Sequence, residues 1–133
     1  MSPRRRRLPE HLEGPARAFD DLLAPLERAR AVLTESVPGT RLPGRFLAET
    51  LSEFEDGLRE VRGRMDAWRS PDLEPGWDAC SRSLDGSLAL ADRVRTEGAH
   101  PDGFEGLIRL IGDLLSPLDA FERAAARLRE LGG

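Results

Sequence analysis

LAETLSEFEDGLREVRGRMDAW, residues 47–68, decides the fold. Its seven large apolar residues stand at Leu47, Leu51, Phe54, Leu58, Val61, Met65 and Trp68, in steps that alternate four and three. A strand would need alternation by two. This spacing instead places all seven along one side of a helix, with polar residues filling the rest of the circumference. Such a seam is narrow, and it is buried only by packing against other helices.

The flanking stretches repeat the pattern. Upstream, Leu12, Phe19, Leu22, Leu26, Ala29 and Leu33 form a first seam, widened by Leu23 and Val37. It must stop at Val37-Pro38-Gly39, where a proline and a flexible residue follow one another. Helix two is predicted from Pro43 to about Arg69, with Ser70 or Asp72 free to cap the next helix. Helix three carries Trp77, Cys80, Leu84, Leu88, Ala91 and Val94 and ends near Gly98. Ser81, Ser83, Gly86 and Ser87 weaken its middle or let a neighbour approach closely. Helix four opens on Asp102 and Glu105, spaced as in a capping box. Its seam is Phe104, Leu107, Ile111, Leu114, Leu118, Phe121, Ala125 and Leu128. Four amphipathic helices with short connections predict an all-α, antiparallel up-down four-helix bundle over residues 10–133. Residues 1–9 read as a basic, disordered arm.

Composition narrows the function classes. The chain has 133 residues, enough for one core, and a single cysteine, so no intrachain disulfide forms. Lys, Asn, Gln and Tyr are absent, and every basic residue is Arg. Codon usage in a GC-rich bacterial genome explains that pattern more simply than thermal adaptation does. The arginines near the start are not followed by an apolar run, so a secretory signal is not expected. No stretch approaches the ~20 apolar residues of a membrane span. A cytoplasmic protein without membrane insertion is the expectation.

Catalytic and metal chemistry find few candidates. A di-metal bundle needs inward Glu residues and Glu-x-x-His pairs. The one such spacing, Glu97 to His100, falls at a helix end, and His11 belongs at the other end. None of the four seams includes a His, Asp or Glu, and the carboxylate row Glu49, Glu53, Asp56 and Glu60 lies on the outward side of helix two. Cys80 falls on an apolar face, where a thiol behaves as a small hydrophobe. Phosphate-binding loops are absent. No catalytic residue, metal ligand or cofactor is expected, and the chain reads as non-enzymatic.

Three features remain. Arg4, Arg5, Arg6 and Arg7 form a local polyanion-binding candidate. Residues 10–133 hold 16 arginines against 24 acids, however, a net −8 that argues against a nucleic-acid surface. Pro25 and Pro117 stand inside helices one and four, each removing a hydrogen bond and crowding the carbonyl four residues back. Kinks at matching heights would wrap the helices around the core, or open an apolar slot among Leu23, Pro25, Leu26, Leu114, Pro117 and Leu118. Trp68 and Trp77 straddle one turn, either as an end plug or as an aromatic contact for another protein. The expected function is a protein–protein interaction or scaffold module, using the tryptophan end or the acidic row Glu49, Glu53, Asp56 and Glu60. Self-association through Leu23, Leu73, Leu90 and Leu115 is a further route. The alternatives are a small apolar ligand at the kinks and a nucleic-acid accessory role led by the arginine arm.

Overall fold

A computed structural model describes residues 9–35, 44–97 and 103–132. All regular structure in them is helical: α1 (Glu10–Glu35), α2 (Gly44–Gly63), α3 (Glu74–Glu97), α4 (Gly103–Leu114) and α5 (Ser116–Gly132). Two short 3₁₀ turns, Met65–Trp68 and Pro71–Leu73, link α2 to α3. No helix is long and apolar enough to cross a membrane among the described residues.

The seams account for the core. Leu12, Phe19, Leu22, Leu26, Ala29 and Leu33 are buried on α1, as are Leu51, Phe54, Leu58 and Val61 on α2. Trp77, Cys80, Leu84, Ala91 and Val94 follow on α3, then Leu114, Phe121 and Leu128. Contacts from α1 to α2, from α2 to α3 and from α3 to the α4–α5 junction each pair earlier residues of one helix with later residues of the next. Arg28 of α1 reaches Glu60 of α2 while Phe19 meets Trp68, further along the chain. Arg62 and Glu55 of α2 pair with Asp85 and Arg95 of α3. Ser83 and Ser87 of α3 bond to Ser116 and to the Leu114 carbonyl.

Two boundaries depart from the periodicity. The helix-two seam continues to Trp68, but α2 ends at Gly63 and its last apolar pair rides on a 3₁₀ turn. The tighter pitch turns Met65 and Trp68 inward, where both are completely buried. The predicted fourth helix is two helices, interrupted at Leu115. Pro117 lacks an N–H, and Leu118 N–H turns back three residues to the Leu115 carbonyl at 2.9 Å. Pro25, by contrast, sits buried within α1, which stays helical through it. The expected stop at Pro38, the cap at Asp102 and the arginine arm lie outside the described residues.

Candidate functional site

Trp68 and Trp77 share one acceptor residue. Trp68 Nε1 donates to Met65 Sδ at 3.3 Å, and Trp77 Nε1 donates to the Met65 carbonyl at 2.8 Å. Phe19 meets Trp68 edge-on at 5.0 Å and stacks on Phe121 at 5.6 Å, so α1 and α5 join the same cluster. Arg69 lies over the Trp77 ring at 4.0 Å while its guanidinium binds Glu74, whose carboxyl it holds below the usual range. Both indoles belong to the core of this end, and neither turns a face outward. At the start of α1 the exposed His11 meets Asp72 at 2.7 Å. Asp72 thus ties α1 to the linker, while Ser70 makes no side-chain cap bond.

The buried carboxylate is one that periodicity did not single out. Glu55 is 1% exposed on α2. Its Oε2 accepts from Arg95 Nε at 2.7 Å, while Oε1 makes no hydrogen bond and faces Arg59 Nη2 at 3.6 Å. The Glu55 bond holds the Arg95 guanidinium above the usual arginine range. None of the four seams includes an acid, yet Glu55, just beside the helix-two seam, is buried. Glu55 follows Phe54 directly, so it lies at the margin of the seam, where the approach of α3 decides whether it is covered. An acid at a seam margin with an arginine late in the next helix was the available signal. Among the described residues, no three His, Cys, Asp or Glu side chains converge as a metal site would require. Cys80 is fully buried and its thiol is pushed up to about 12 by burial, leaving no thiolate near neutral pH.

The outward row of α2 is largely used within the chain. Asp56 pairs with Arg59, and Glu60 with Arg64 and Arg28. Glu49 and Glu53 are exposed.

The interruption at Leu115 builds the most distinctive surface. Breaking the helix leaves the Leu114 carbonyl without its usual acceptor role toward residue 118. Ser87, itself buried on α3, donates to that carbonyl at 2.5 Å, and Ser83 meets Ser116 at 3.1 Å. The serines that weaken helix three in sequence are the groups that receive this break. Beside it lies an apolar cleft bounded by Leu26, Ala29 and Arg30 of α1, Phe54 and Leu58 of α2, and Leu114, Leu115, Pro117 and Leu118. Four of the six residues expected around the prolines, Leu26, Leu114, Pro117 and Leu118, line it. Pro25 is buried but does not border it, and Leu23 lies outside it. The cleft is a narrow crevice partly open to solvent, and its walls leave no room for a water molecule.

Two apolar stripes extend this cleft. Leu23 continues Leu26 and Arg30 on α1 at spacings of three and four, and Ile108 continues Ile111 and Leu115 on α4 in the same way. Leu23 is 39% exposed and Ile108 is 48% exposed, and they are the exposed large hydrophobic side chains among the described residues. The other residues considered for self-association are better covered: Leu73 is buried, and Leu90 and Leu115 are half-buried. No family model matches the chain, and neither a curated protein nor a solved structure matches it.

Proposed function

We infer that the chain is a non-enzymatic, cytoplasmic interaction module, built as an antiparallel four-helix bundle whose fourth member is the α4–α5 pair. Its proline positions shape the bundle, bending the first helix at Pro25 and dividing the fourth at Pro117. The recognition surface is the α1–α4 cleft with its flanking stripes. An amphipathic helix of another protein docks there, placing apolar residues along Leu23, Leu26, Ile108 and Leu115. One observation carries this reading: the two exposed large hydrophobic side chains stand at helical spacing from cleft residues, Leu23 from Leu26 and Ile108 from Leu115. The tryptophan end and the acidic row are weaker choices, because the indoles are core and Asp56 and Glu60 are paired.

A photo-crosslinking residue placed at Leu23 or at Ile108, in cells that produce the protein, tests the surface. The same partner band should form from both positions and be missing from a control at Arg82, an exposed residue of α3. A band of twice the chain mass would make the partner a second copy. No band from either position, or equal bands from all three, would remove this surface from consideration.

A second reading has the cleft as its support: a small apolar ligand entering between Leu26, Leu114, Pro117 and Leu118. It requires the walls to part, since they now exclude water. A rise in melting temperature with short alkanes or benzene would favour it. The arginine arm contributes through polyanion contact only if binding falls steeply with salt and disappears on deleting residues 1–9.

A further inference from the structure

We propose that α4 is a hinged flap, moving about Leu115, that covers the floor of the cleft and lifts without the rest of the molecule unfolding. Three observations converge on it. The hinge is present: Leu115 separates two helices, and no continuous backbone ladder crosses it because Pro117 offers no N–H. The latch is local. Ser87 holds the Leu114 carbonyl and Ser83 holds Ser116, both at the hinge itself.

Beyond the latch, α4 is loosely tied. Ion pairs join α1 to α2 and α2 to α3, whereas no described residue of α4 makes one. Among its described side chains only Leu114 is fully buried; Leu110 and Ile111 are half-buried and Ile108 is exposed. A segment whose described side chains make few buried contacts belongs to the low-stability end of a protein and opens before the core does. Leu26, Phe54 and Leu58 line the cleft together with Leu114, where α4 ends, and Leu115. Lifting α4 turns a cleft too narrow for water into an apolar groove a helix wide. This deepens the interaction reading above and rests on it for its purpose: with α4 lifted, the partner helix seats over Leu26, Phe54 and Leu58, between Leu23 of α1 and Ile108 on the raised α4. The hinge itself does not depend on that reading.

Thiol labelling with an aromatic disulfide reagent in native buffer tests the motion on the full chain. Leu58→Cys places a reporter on the cleft floor, and the native Cys80, fully buried in α3, reports global unfolding in the same molecule. Peptide mapping reads the two sites separately, so any loss of stability from the substitution is cancelled in their ratio. Leu26→Cys supplies a second reporter on α1. The floor cysteines should label at least tenfold faster than Cys80, and adding Ser87→Ala should widen that ratio. Equal rates at floor and Cys80, in both reporters, would show that α4 leaves only with the whole fold and would overturn the flap. A flap without crosslinked partner would retain the motion and discard its use.

Discussion

Cys80 is a small residue with a measurable consequence. The chain contains no Lys and no Tyr, so between about pH 9 and 12 its thiol is the one side chain that titrates. Burial raises it from 9.0 to about 12 in the fold, while the unfolded chain ionises at its ordinary value. Above pH 9 the unfolded state therefore binds fewer protons than the native one, and stability declines as pH rises. At ~1.4 kcal/mol per pH unit the loss approaches about 4 kcal/mol by pH 12. Urea unfolding across that range should follow this slope, and Cys80→Ala should flatten it. Trp68→Ala should cost about 3–5 kcal/mol, because a fully buried indole leaves a cavity among Phe19, Phe121 and Met65. The Glu55–Arg95 pair behaves differently. Arg95→Met alone strands a buried carboxylate and should destabilise, whereas Glu55→Leu combined with Arg95→Met should recover the loss. Denaturation midpoints of the single and double variants check the sign.

Helix contacts set what each element tolerates. At Gly57 α2 lies close against α1: an added Cβ would stand 3.1 Å from the Ala29 Cβ. Gly86 in α3 has open space around it. Both are helical, so alanine should bring about 0.5–1 kcal/mol of propensity at either position. Thermal melts should show that gain for Gly86→Ala and its absence or reversal for Gly57→Ala, since α1 must shift to admit the methyl. The Leu115 interruption was half legible. Pro117 announces a lost hydrogen bond, but whether a helix bends or divides there depends on what receives the freed carbonyl. Ser87 donates to the Leu114 carbonyl and Ser83 meets the Ser116 hydroxyl, and their role is invisible until α3 lies against the break.

For the whole molecule, the groove reading predicts that its lips are dispensable for folding. Leu23→Glu with Ile108→Glu should leave the melting temperature within a few degrees, as surface changes stay near ±0.5 kcal/mol. The same pair should abolish the crosslinked partner band. Loss of folding instead would assign both residues to packing.

The sequence by itself determined the helical class, the apolar seams that supply most of the core and the absence of a membrane-spanning helix among the described residues. The reason is local: a three-four repeat of apolar residues forces helix and selects its inward face, whatever lies opposite. Tertiary structure alone decided three other matters. Glu55 became a buried ion-pair partner because α3 brings Arg95 across its margin of the seam. The tryptophans became core because the 3₁₀ turn and Met65 supply acceptors for both indoles. The cleft arose at the helix break, and Leu23 and Ile108 stayed exposed, because the neighbours of a seam, not its period, settle how completely it is covered.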